Sequence, residues 1–310
     1  MLGAIMALCY SATFGLNGVI SRRAVIRANA SYVANVSIFS GPFFFVVAAL
    51  IAGEFLMLNQ FPWQAYAYFA LSGVIHFACG RTFGYRSLQL IGVTRSNIVT
   101  GLSAIVSIVL AVVILNEVLT PVVALGIVLS LSGPILMALK EETVAAPKVG
   151  AALYGKHVDR PTLIKGTLLG AGAAIFWGIS PIFVKLGLEA GGSSISGSLA
   201  AYTAAVIVIS PSLLRRKTRD ELRNADGRSL QLALMSGMTT NVAQMLRFFA
   251  LAYGSVITVS VVSRTMIIFT LIFSFIFNRK VESFGIWVII GNALLLIGTV
   301  LVIIEQLWNF

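Results

Sequence analysis

Apolar stretches near 20 residues long recur along the whole length of this 310-residue chain. A helix of that length matches the hydrocarbon core of a bilayer, about 30 Å thick. Inside lipid the chain itself must satisfy every backbone N–H and C=O, so only helices and closed barrels can span. Barrel strands alternate apolar and polar residues, whereas these runs are solid. The chain is therefore read as an all-α polytopic membrane protein. Its composition agrees: 58% of residues are hydrophobic and 11% are charged, where a soluble domain carries about a quarter charged.

Ten transmembrane helices are expected, at about 2–21, 32–53, 63–86, 94–115, 120–139, 163–187, 195–214, 229–251, 256–277 and 283–304. Pro62 and Pro121 stand at helix starts, where a missing N–H costs nothing. The longest polar break, 140–162, is a linker between a first five-helix repeat over 1–139 and a second over 163–305. Residues 215–228, RRKTRDELRNADGR, form a second charged loop, expected against an anionic cytoplasmic leaflet. Residues 1–20 do not read as a cleavable signal, because Arg22 and Arg23 come after the apolar run instead of before it.

The two parts repeat one another. Glu117, Gly126 and Gly133 return as Glu282, Gly291 and Gly298, each 165 residues on (282 − 117, 291 − 126, 298 − 133). Gly3 and Gly15 return as Gly166 and Gly178, each 163 residues on (166 − 3, 178 − 15). Five helices per repeat is an odd number, so the second copy enters the membrane inverted. Inverted repeats give two pseudo-equivalent shapes, one open to each side, with a site between them. Basic residues set the orientation. Loops after odd-numbered helices hold most of them, from Arg22, Arg23 and Arg27 through Lys165 and Arg215 to Arg279 and Lys280. The opposite side has Lys185, near the end of the sixth helix, and Arg247, near the end of the eighth. Positive residues stay inside, which places both termini outside the cytoplasm. The same topology accounts for the net charge of +11. Nucleic acid is not an expected partner, because the basic-and-aromatic module that binds it is missing.

The segment LNEVLTPVVALGIVLSLSG and its second copy RKVESFGIWVIIGNALLLIG resemble the paired signature of the EamA family, in the drug/metabolite transporter superfamily. GRTFGYRSLQLIGVTRSN and FFALAYGSVITVS resemble that family's turns between helices three and four and between eight and nine. FGLNGVISRR and FWGISPIFVK resemble its first and sixth helices. The resemblance implies a secondary transporter or exporter of small metabolites that works by alternating access. The expected location is a bacterial inner (plasma) membrane. Two features depart from the pattern. Ala104 and Met266 stand about where the family often has a proline, and Arg279 and Lys280 replace apolar residues before the second glutamate. Small multidrug exporters of the same superfamily hold cationic cargo on a membrane-embedded glutamate. No Asp or Glu lies mid-span here, which argues against a lipophilic-cation exporter.

An ionisable group inside a span is costly, so it is a functional candidate. Arg264 lies eight residues past the start of the ninth helix (264 − 256), roughly 12 Å at the helical rise. It has three readings: it binds a substrate anion, makes a structural hydrogen bond, or snorkels to the interface. The eighth helix carries the densest polar face, with Thr240, Gln244 and Arg247 in line and Asn241 beside them. That face turns to the cavity or to a partner helix, and the cavity is the favoured reading. His76 shares a face with Gly73, Gly80 and Gly84 and is either a packed hydrogen-bonding group or a proton carrier. Arg81 lies at the edge of the cavity or snorkels. Asn17 and Ser180 are pseudo-equivalent candidates for substrate binding (180 − 17 = 163), and Trp177 precedes Pro181 by one turn; the tryptophan either stacks on a substrate or fills a packing gap. Ser96, Thr100, Ser103 and Ser107 form a milder stripe, read as helix-packing glue. Glu117 and Glu282 are read as caps of the next helix in the chain.

No catalytic arrangement, metal-ligand cluster or phosphate loop is found, and no cofactor or metal is expected. His157 lies in the linker, and Cys9 and Cys79 lie inside spans. The favoured function is export of small polar metabolites such as amino acids or related carboxylates. The alternatives are an exchanger of phosphorylated metabolites or nucleotide sugars, and a non-transporting receptor or scaffold. The expected partners are a small-molecule substrate and the lipid bilayer. Substrate, coupling ion and oligomeric state are not set by the sequence.

Overall fold

A computed structural model of the chain describes residues 1–28, 30–91, 93–141, 159–211, 225–277 and 286–308. Among these residues there is no strand. The helices are α1 (Leu2–Arg27), α2 (Ala30–Ile51), α3 (Trp63–Gly73, Val74–Gly80 and Arg81–Ile91 in series), α4 (Val93–Gly101, then Ser103–Ile114) and α5 (Pro121–Glu141). They continue with α6 (Arg160–Glu189), α7 (Ser194–Ile209), α8 (Gly227–Tyr253), α9 (Val256–Phe277) and α10 (Ile286–Trp308). A short 3-10 turn, Glu54–Gln60, joins α2 to α3. The α1, α2, α6, α9 and α10 helices are long and apolar enough to cross a membrane. Shorter apolar stretches lie in α4, α5 and α7. Helices outrun their expected ends where charge begins: α1 continues past Arg22 and Arg23 to Arg27, and α6 begins at Arg160. A helix can persist there because long basic side chains carry their charged heads to water. Glu282, His157, Arg279, Lys280 and most of 140–162 and 215–228 lie outside the described residues.

The exterior is apolar and the interior is small. Phe43, Ile51, Val113, Leu168 and Ile207 are exposed, while Ser11, Ser72, Ser107, Ser180 and Thr258 are buried. Lipid tails are as apolar as leucine, so helices associate by close packing and hydrogen bonds and not by shedding water. The repeated glycines are where that close packing happens. Each of α5 and α10 packs on the other, with Gly126 against Gly298 and Gly133 against Gly291. A Cβ on Gly126 would sit 2.7 Å from the Gly298 carbonyl oxygen. Gly3 presses on Gly254 between α8 and α9, as Gly166 presses on Ile91 at the end of α3. Gly15 meets Phe269 of α9, as Gly178 meets Val106 of α4.

The first helix of each repeat is therefore exchanged. The α1 helix packs on α8 and α9 of the second repeat, and α6 packs on α3 and α4 of the first. With α2 on α8 and α7 on α3, this makes two bundles that each mix the repeats. Both α4 and α9 break at equivalent points, at Leu102 and over Ser263–Thr265. The break therefore forms without a proline, since Ala104 and Met266 stand there instead. Pro181 sits inside an unbroken α6.

Two expectations are corrected. Gly73, His76, Gly80 and Gly84 do not share one face. Residues Val74–Gly80 are π-helical, with wider i→i+5 turns, and this rotates the remainder of α3. Gly73 then meets Ala201 of α7, while Gly80 and Gly84 meet the ring of Trp177 on α6. Glu117 is a cap, but of a distant helix. Its carboxylate accepts from Val256 N at 2.5 Å and Ile257 N at 2.9 Å, at the start of α9 rather than of α5. Glu54 does the same for α7, accepting from Ser193 Oγ and from Ser196 N and Oγ. A free amide end attracts an anion regardless of which segment supplies it.

Candidate functional site

The buried polar centre lies between the two bundles and is built on α1, α3, α4, α7, α8 and α9. Arg247 is 6% exposed, and its Nε and Nη2 have no hydrogen-bond partner among the described residues. Its guanidinium stands 5.8 Å from the centre of the Phe248 ring. Arg264 lies in the 3-10 turn that breaks α9, donates from Nη2 to Ser103 Oγ of α4 at 3.0 Å, and leaves Nε without a partner among the described residues. Tyr10 of α1 feels both arginines. Tyr202 of α7 feels Arg247 and Arg81, and its hydroxyl has no partner among the described residues.

Two amide oxygens join this set. Gln244 and Asn241 are buried on α8 within two turns of Arg247, and Oε1 of the first and Oδ1 of the second have no partner among the described residues. Asn241 is oriented by its other end, Nδ2 to Ser40 Oγ of α2 at 3.2 Å. His76 comes from the π-helical segment of α3, within the field of Arg247 and Arg81, and its Nδ1 is likewise unpartnered. Its carbonyl accepts from Trp177 Nε1 at 3.1 Å. Arg81 lies half-buried, 5.4 Å over the Phe77 ring.

The remaining candidates join helices together. Asn17 Oδ1 accepts from Ser21 Oγ, Ser236 Oγ and Thr239 Oγ1 at 3.0–3.1 Å, tying α1 to α8. Ser180 Oγ lies 3.1 Å from Ser72 Oγ, tying α6 to α3 at the equivalent place. Thr240 turns its hydroxyl back to Ser236 O of its own helix. Trp177 fills the space left by Gly80 and Gly84. In the α4 stripe, Ser107 donates to Gly178 O of α6 at 2.9 Å, while Ser103 is taken up by Arg264.

The centre is rich in donors, and among the described residues no acid stands beside it. The groups acting electrostatically on Arg247 are Tyr10 and Tyr202, and on Arg264, Tyr10. Burying a guanidinium without a counter-charge costs several kcal/mol. A cluster of this kind suits an anion, with the two amide oxygens available to a donor group on the same molecule. Two surface clefts of about 620 and 530 Å³ lie elsewhere. The first runs along α6 from Arg160 to Leu169, and the second lies between α3 and α7. Neither touches the arginine centre, so they do not carry this chemistry.

The sequence reading missed Tyr10 and Tyr202. Each stands eight residues into its helix (10 − 2, 202 − 194), and a phenol at mid-span is the one signal that could have found them.

The sequence matches the EamA-like transporter family over residues 1–139 and again over 164–304. Among curated proteins none matches it. A solved structure, described only as a crystal structure of a protein, has the same fold, with a TM-score of 0.73 at 15% identity. The likeness covers 97% of this chain and 94% of that one.

Proposed function

The chain belongs to the EamA-like transporter family, and on that premise we propose that it exports small polar metabolites bearing an anionic group, such as amino acids or related carboxylates. It is an integral membrane protein of a transporter family. In this reading all ten helices span a bacterial inner membrane with both termini outside, and the two bundles alternate access to the site between them. The observation that carries it is the pair of guanidiniums, Arg247 buried and Arg264 half-buried, with unpartnered nitrogens and no acid beside them among the described residues. They bind the carboxylate by charge-assisted hydrogen bonds. Asn241 and Gln244 accept from the cargo's donor group, and His76, Arg81 and Trp177 border the site. Asn17 and Ser180 hold the helices that frame it, and Thr240 bonds back to its own helix.

The test is flux of labelled amino acids and carboxylates in reconstituted vesicles. Arg264→Ala is expected to lower flux at least about tenfold, the scale of one lost hydrogen bond to a charged group, with insertion and folding intact. Undiminished flux in that variant would remove Arg264 from the site. A receptor or scaffold would give no flux at all.

A second reading, exchange of phosphorylated metabolites, is favoured by one observation: a third guanidinium, Arg81, acts on the same Tyr202 as Arg247. Counterflow driven by a phosphate ester but not by a carboxylate would select it.

A further inference from the structure

The turn between α8 and α9 is held at both ends by the opposite bundle. Lys185 of α6 donates from Nζ to Leu251 O at 3.1 Å and to Gly254 O at 3.2 Å, where the carbonyl end of α8 is left open. Glu117, just past α4, accepts from Val256 N and Ile257 N at the amide end of α9. Each charge has the sign that its helix end attracts. Both α4 and α6 belong to one bundle, while α8 and α9 belong to the other. The gripped helices are the two that carry Arg247 and Arg264. Arg247 lies four residues before Leu251 (251 − 247), and Arg264 eight after Val256 (264 − 256). Lys185 and Glu117 are only half-buried, so water can replace the turn's carbonyls and amides when it moves away.

We propose that Lys185 and Glu117 form the gate on the face that carries the termini, and that opening the arginine site toward that face requires them to release the α8–α9 turn. This rests on the transporter reading, but its test needs no cargo. A static pair of caps would hold the turn in every state, whereas a gate exposes the interior when it is broken.

The test uses the full-length protein in lipid nanodiscs, with Cys9→Ser and Cys79→Ser as background. One reporter, Ser103→Cys, lies beside Arg264; another, Thr258→Cys, lies just inside the turn. A hydrophilic maleimide reads their accessibility. Lys185→Met is expected to raise labelling at both reporters by about tenfold, the scale of a lost charged hydrogen bond, and Lys185→Arg to return it to the starting rate. Glu117→Ala is expected to act like Lys185→Met and serves if the lysine variant does not fold. Burial pushes the Glu117 carboxyl above the ordinary glutamate value, against the two amides and Lys185 that favour its charge. Glu117→Gln keeps a carbonyl acceptor and is therefore expected to stay shut. Labelling that rises at Thr258→Cys alone would mean local fraying, and labelling unchanged at both reporters would mean no gate; either overturns the proposal. Labelling at both reporters without flux in vesicles would keep the gate and remove the transporter reading instead.

Discussion

At the scale of single residues, charge was easy to read and partnership was not. Arg247 and Arg264 stood out because an arginine inside an apolar run has few harmless explanations. Tyr10 and Tyr202 did not, because a tyrosine counts as apolar until its hydroxyl is placed. Asn17 and Ser180 looked like cavity groups, but each meets a polar partner on another helix, Ser236 and Ser72. Spacing along one helix shows which residues share a face and not what lies opposite. The unpartnered Tyr202 hydroxyl gives a prediction at this scale. A buried polar group without a partner costs stability, so Tyr202→Phe is expected to keep or raise the melting temperature. If the phenol meets cargo, the same change weakens ligand binding several-fold, about 1 kcal/mol. A lower melting temperature in Tyr202→Phe would show that the hydroxyl has a structural bond after all.

At the scale of elements, the repeat legible in the sequence turns out to be a packing code. The glycines repeated at a shift of 165 meet crosswise between α5 and α10, Gly126 on Gly298 and Gly133 on Gly291, and those repeated at a shift of 163 let α1 and α6 press on the helix pair of the other repeat. Gly133→Leu is expected to force α5 and α10 apart at a cost of about 1–3 kcal/mol, read as a lower yield and melting temperature of the purified protein. A melting temperature unchanged by that substitution would mean that the two helices do not need the contact. The π-helical segment in α3 was not legible, because one inserted residue leaves the apolar pattern almost unchanged while turning the next face from α7 toward α6. Glu117 was read as a cap, but the helix it caps lies 139 residues away in sequence (256 − 117). Local signals identify a cap's chemistry and not its partner. The breaks in α4 and α9 form without a proline, beside Gly101 and Ser103 in one and at Ser263 in the other.

At the scale of the whole molecule, the two repeats, the apolar exterior and the family form one account: a transporter-family protein whose two bundles each borrow a helix from the other repeat. If the basic loops are cytoplasmic, a reporter fused after Phe310 will be extracytoplasmic. A cytoplasmic readout would invert the topology and move the Lys185–Glu117 face to the inside. The differences between the repeats concern function more than their likeness does. At a shift of 163, Arg247 and Arg264 correspond to Gly84 and Gly101 (247 − 163, 264 − 163), so in the proposed site the two central arginines both come from the second repeat. The most direct test of that claim is the melting temperature of the purified protein against amino acids, other carboxylates, phosphate esters and organic cations. A ligand that binds only the folded state raises it by mass action. The account predicts that at least one anion-bearing compound stabilises the wild-type protein and fails to stabilise Arg264→Ala. Stabilisation by organic cations alone, or by an anion equally in both proteins, would contradict it.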